Sequence, residues 1–116
     1  MKKKIFCFDI DNVICKTQGN NYDEAKPLNS TISLINKLYA NNHTIKLFTA
    51  RYMGRNKDNV TKAKKQGYEK TFKQLKKWGV KFHILKMGKP SFDIFIDDKA
   101  YGYNLEWKKK LKKYIK

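Results

Sequence analysis

Arginine is nearly missing from a chain that is otherwise crowded with positive charge. Of 27 basic residues in 116, only Arg51 and Arg55 are arginine and the rest are lysine. A dedicated nucleic-acid surface usually adds arginine forks and aromatic stacking platforms, so this scarcity disfavours one. Cysteine is scarce as well. Cys7 lies in an apolar run, Cys15 follows an acidic turn, and the two lack CxxC spacing. That excludes a disulfide framework and fits a reduced setting, with Cys7 expected in the core. No apolar stretch approaches the roughly 20 residues that span a bilayer, and no secretory apolar region opens the sequence. The expectation is a cytoplasmic protein without membrane insertion. Acidic residues number 10, which leaves a formal net charge of +17 and a field that attracts anions.

What is present suffices for a core. The apolar share is 41%, with 14% aromatic, enough for one compact domain over residues 1–116. Lys4 to Phe8 is a β-rich apolar run ending abruptly in Asp9, Asp11 and Asn12. Pro27 and Asn29-Ser30-Thr31 supply helix-start chemistry, and Leu28, Ile32, Ile35 and Tyr39 then recur at helical spacing. Thr44 to Phe48 reads as a second strand, again turning polar at Thr49-Ala50-Arg51. Gly54 and Gly67 predict interruptions in the lysine-rich stretch that follows, before a firm helix through Tyr68, Phe72 and Leu75. Val80 to Leu85 is expected as a third strand, Phe92 to Ile96 as a fourth ending in Asp97 and Asp98, and Leu105 to Ile115 as a terminal helix. Alternating strands and helices predict a parallel sheet between helix layers, with polar strand ends converging on one edge.

Four motifs appear in order at those strand ends: FDIDNV, FTAR, GKP and FIDD. Together they resemble the haloacid dehalogenase (HAD) superfamily of phosphohydrolases, over the chain from Lys4 to about Asp98. The resemblance implies a Rossmann-like three-layer α/β fold and an Mg²⁺-dependent phosphomonoester hydrolase. It assigns Asp9 as nucleophile and Asp11 as general acid and then base. Thr49 and Lys89 would hold the transferring group, with Ala50 and Arg51 beside them at the substrate. Asp9, Asp97 and the Asp11 backbone carbonyl would ligate the metal, and Asp98 would orient a ligand or exchange with Asp97. Such chemistry needs these residue types, because a phosphomonoester dianion repels a carboxylate unless cations neutralise both. Acidic pairs at strand ends more often solubilise a turn or cap a helix, and the ordered set of four is what reverses that reading.

Two positions depart from the family pattern: Asn12 stands where glycine is common and Val13 where threonine often is. Asparagine tolerates left-handed backbone, so the turn remains feasible. Residues 12–48 and 52–88 are used up by ordinary elements, leaving no room for a cap domain. The open site of this capless subclass suits a bulky substrate or a homo-oligomer whose neighbour covers the entrance. NYDEAKP, FTAR and GKPSFDIFIDDKA are similar to short phosphatases of capsule and surface-polysaccharide biosynthesis. That implies a phosphorylated sugar, polyol or similar small metabolite, with Tyr22, Asp23, Lys26 and Arg51 near the entrance. Two alternatives stand beside it: a nucleic-acid end phosphatase, from the positive field, and a non-catalytic binding module that kept the fold. Lys86 is the nearest competitor of Lys89, and His43 and His83 show no ligand spacing.

Overall fold

The computed structural model describes residues 2–116. In chain order its elements are β1 Ile5–Phe8, β2 Cys15–Lys16, β3 Lys26–Pro27, α1 Asn29–Ala40, β4 Thr44–Thr49, α2 Val60–Lys77, β5 Ile84–Met87 and α3 Trp107–Leu111. Single 3₁₀ turns occupy Tyr22–Glu24, Gly54–Asn56 and Lys112–Tyr114. β1, β4 and β5 form a parallel sheet in the order β1-β4-β5. β2 and β3 pair separately, antiparallel, and close the loop that leaves β1.

Strand alternation decides which face is buried. The register sets Phe6 beside Ile45, Phe8 beside Leu47 and Leu47 beside Leu85, so these side chains share one face. Ile32, Ile35 and Leu38 of α1, Leu75 of α2, and Trp107 and Leu111 of α3 complete the same core. Each large apolar side chain so buried contributes about 1.5–3 kcal/mol. α1 packs on β4 and α2 on β5, while Trp107 meets the Phe8 ring and Tyr114 the Phe6 ring. His43 joins the two ends of the chain: its Nδ1 accepts from Lys4 N–H at 3.1 Å, so Nε2 carries the proton and donates to the Tyr114 carbonyl at 2.8 Å. His83 Nδ1 accepts from Ile45 N–H. Both histidines serve packing and backbone pairing.

The opposite face of the sheet carries Ile5, Cys7, Ile84 and Lys86, all exposed. Among the described residues the sheet is small and flanked by helices, and this second face is left open at those four positions. Cys7 is corrected accordingly: alternation turns its side chain to the open face and away from the core. The expected fourth strand, Phe92 to Ile96, is irregular and exposed. A strand gains stability only through a partner ladder and a covered face, and this run has neither.

Boundaries shift for identifiable reasons. The third strand begins at Ile84, because the Val80 N–H is spent on the Leu75 carbonyl at the end of the helix. α2 runs unbroken through Gly67, against the interruption expected there. Its start is capped by Asn59, whose side chain accepts from Lys62 N–H at 3.0 Å. Glycine inside a helix costs about 1 kcal/mol relative to alanine. Here the missing Cβ is needed, because a Cβ on Gly67 would collide with the ring of Tyr52. The terminal helix is short, passing into a 3₁₀ turn at Lys112.

Candidate active site

Asp9 and Lys89 meet at the carboxyl end of the sheet. Asp9 follows β1 directly, and its Oδ1 accepts from Ile10 N–H at 2.8 Å. Its Oδ2 lies 3.5 Å from Lys89 Nζ. Lys89 is brought there by the loop after β5, whose Lys89 N–H donates to the Thr49 carbonyl at the end of β4. Burial raises the pKa of Asp9 above the ordinary carboxylate value, and Lys89 acts against the rise. The ammonium also lies over the rings of Phe92 and Phe95.

Asp11 sits on a turn that asparagine makes possible. Asn12 has φ 64°, in the left-handed region, which asparagine enters more readily than most residues. The Asn12 N–H donates to the Cys15 carbonyl at 2.7 Å, and Asn12 Oδ1 accepts from Thr17 N–H. Asp11 is thereby turned inward, where Thr17 Oγ1 and Arg51 grip it. Thr17 Oγ1 donates to Oδ1 at 2.7 Å, Arg51 Nη2 to the same oxygen at 2.9 Å, and Arg51 Nε to Oδ2 at 3.0 Å. Cys15 is a buried neighbour, its thiol 3.7 Å from Asp11 Oδ1, and burial pushes its pKa up.

Arg51 is corrected by this geometry. The resemblance implied a place at the substrate, and the residue is 2% exposed with its guanidinium held by Asp11. Burial alone would disfavour the guanidinium, but the hydrogen bonds and charge of Asp11 outweigh it and hold its pKa above the ordinary value. Its remaining Nη1 donates to Gln74 Oε1 at 2.7 Å, and Gln74 Nε2 donates to the Tyr22 carbonyl. Arg51 thus ties β1's loop, β4's end and α2 together. Thr49 is corrected as well: it is completely buried, and its Oγ1 accepts from Arg51 N–H at 3.1 Å. In this arrangement it braces the turn instead of facing a phosphoryl group. Ala50, half-buried, begins the same turn with its carbonyl accepting from Met53 N–H.

Asp97 and Asp98 do not join the site. Both are exposed, and Asp97 Oδ1 accepts from Lys99 N–H at 2.9 Å, which lowers its pKa. Among the described residues no cluster of three or more Asp, Glu, His or Cys side chains forms that could hold a metal. The expected ligand set Asp9, Asp11, Asp97 and Asp98 is therefore not assembled. Lys86 points from the open face and does not replace Lys89.

Beside the Asp11–Arg51 pair lies a cavity of about 470 Å³, lined in part by Tyr22, Asp23, Arg51, Tyr52, Thr71 and Trp78. Tyr22, Asp23 and Arg51 were expected near an entrance and do share this wall, whereas Lys26 pairs in β3 and is exposed. The buried Thr71 hydroxyl has no hydrogen-bond partner among the described residues. Sequence reasoning missed Tyr52, whose φ of 68° is unusual for a bulky residue. It missed Arg55 too, whose guanidinium stacks on the Tyr52 ring at 4.7 Å. The rarity of arginine in this chain was the signal that could have found it.

The fold is similar to the crystal structure of an MCSG target from Vibrio cholerae, with a TM-score of 0.78 and 24% identity over 95% of this chain and 96% of that one. That likeness supports a small Rossmann-like α/β fold. No family model and no curated protein matches the chain.

Proposed function

We propose that this protein is a HAD-type phosphomonoester hydrolase that works through an aspartyl-phosphate on Asp9, with a phosphorylated sugar, polyol or similar small metabolite as substrate. The observation that carries the reading is the Asp9–Lys89 pair at a sheet edge, 3.5 Å apart and half-open to solvent. A carboxylate there can attack phosphorus while the ammonium offsets charge on both partners. The bond from phosphorus to the ester oxygen breaks as the Asp9–phosphorus bond forms, and the departing alkoxide takes a proton. Solvent at the open site supplies it, since Asp11 is held as a carboxylate, its Oδ2 accepting from Arg51 Nε and its Oδ1 from Thr17 and Arg51. Water then attacks the acyl-phosphate, Asp11 takes its proton, and inorganic phosphate leaves Asp9 as a free carboxylate.

The resemblance implies Mg²⁺, and the donors as arranged here do not fit it. Asp9 faces Lys89, Asp11 faces Arg51, and Asp97 and Asp98 lie apart in solvent, so no step is routed through a metal. The test is phosphate release from a panel of sugar, polyol, nucleotide and oligonucleotide-end phosphates, with Mg²⁺ or EDTA, for wild type and Asp9→Asn. Turnover lost in Asp9→Asn supports the reading. Absence of turnover across the panel from a folded protein overturns it in favour of a binding module.

A further inference from the structure

The chain's two arginines stand in one place and have opposite fates. Arg51 and Arg55 both lie over the Tyr22 ring, 4.9 and 5.7 Å from its centroid, and the Tyr22 and Tyr52 rings are 5.0 Å apart. Arg51 is buried and its donors are taken by Asp11 and Gln74. Arg55 is exposed, and among the described residues no carboxylate lies within ion-pair distance of it. A guanidinium resting on aromatic faces is pre-organised, and its planar edge still offers forked donors to an anion.

The platform beneath it is fixed. Tyr52 holds its left-handed backbone because its ring fills the space that Gly67 leaves on α2. Strain of this kind persists where surrounding packing over-determines it. The platform also adjoins the loop that carries Lys89. A Cβ on Gly54, next to Arg55, would lie 3.5 Å from Ser91 Oγ, and Ser91 N–H donates to Asp58 at 3.3 Å. Ser91 follows Lys89 by two residues. The cavity that Tyr22 and Tyr52 line also carries Lys70, Lys73 and Lys77, so the local potential favours negative charge.

We infer that Arg55, seated on Tyr22 and Tyr52, binds a second anionic group of the substrate, so that the preferred substrates are phosphomonoesters bearing another phosphate or a carboxylate. This rests on the phosphatase reading above. Lys89 matches the group being transferred, and Arg55, which has no ion-pair partner among the described residues, offers its fork to a second one.

The test compares glucose 1,6-bisphosphate with glucose 6-phosphate for wild type, Arg55→Ala and Arg55→Lys. The expected result is that Arg55→Ala lowers the preference for the bisphosphate, as a ratio of kcat/KM values, by about 10- to 100-fold and chiefly through KM. Arg55→Lys should recover only part of it, because an ammonium lacks the planar fork. Equal losses on both esters, or no loss, overturn the inference. Titration of the bisphosphate into Asp9→Asn, with and without Arg55→Ala, separates the two readings. Arg55-dependent binding without turnover in the wild type keeps the subsite and sinks the phosphatase; binding indifferent to Arg55 sinks the subsite whatever the turnover.

Discussion

Two apolar runs in this chain end in aspartate, and they behave in opposite ways. Ile5–Phe8 pairs with β4, buries Phe8 under Trp107, and delivers Asp9 to a partly buried position against Lys89. Phe92 to Ile96 is likewise rich in phenylalanine and isoleucine, though it contains Asp93, and it also ends in aspartate, yet Ile94 and Ile96 are 80% and 91% exposed and Asp97 stands in solvent. The pKa directions follow: burial raises that of Asp9, and a local backbone N–H from Lys99 lowers that of Asp97. The carboxylate after an apolar run is drawn into a partly buried, charge-paired position here only where the run itself is packed.

The largest expected effect breaks the comparison at its chemical end. Asp9→Asn should lower phosphate release by at least about 10³-fold, as removal of a covalent nucleophile does. A variant that keeps a tenth of the rate would remove Asp9 from the proposal. Next is packing. Phe8→Ala should cost about 3–5 kcal/mol in denaturant unfolding, whereas Ile96→Ala should stay within about 0.5 kcal/mol. Comparable losses at the two positions would mean that the second run is paired in solution. Hydrogen exchange gives the same contrast without mutation, with slow amides in Ile5–Phe8 and fast ones in Phe92–Ile96.

Smaller effects sharpen the site. Gly67→Ala should destabilise by about 1–3 kcal/mol through overpacking against Tyr52, although alanine is the better helix former. An increase in stability would show that the ring moves away freely. The smallest effect is a pH dependence. The folded-state pKa of Asp9 is raised, so the native state holds its proton more tightly than the unfolded chain does. That stabilisation is complete below the unfolded value of about 3.9 and is lost as pH rises through the folded value. The melting temperature of Asp9→Asn minus that of wild type should therefore grow between acid and neutral pH. A gap that shrinks would mean that Lys89 dominates over burial.

Much of this was legible in the residues. The stripe Leu28, Ile32, Ile35 and Tyr39 specifies α1, and the alternation of Thr44 to Thr49 specifies β4, because each periodicity is local. Asp9 and Lys89 were legible as a pair of chemical types in an ordered set of motifs. Gly67 was not, since its value depends on a ring reached from another loop. Nor was the burial of Arg51 and Thr49, which follows from α2 closing over the end of β4 through Gln74.

By itself the sequence determined β1, α1, β4 and the later part of α2, and the chemical groups that end β1 and β4. Those depend on short-range spacing and on what each side chain can do. Only the tertiary structure decided that Arg51 belongs to Asp11, that Arg55 rests on two tyrosines, and that Asp97 stands apart from Asp9. Each of these turns on distance between residues far apart in the chain, and a hydrogen bond or ion pair loses its strength within a few ångströms.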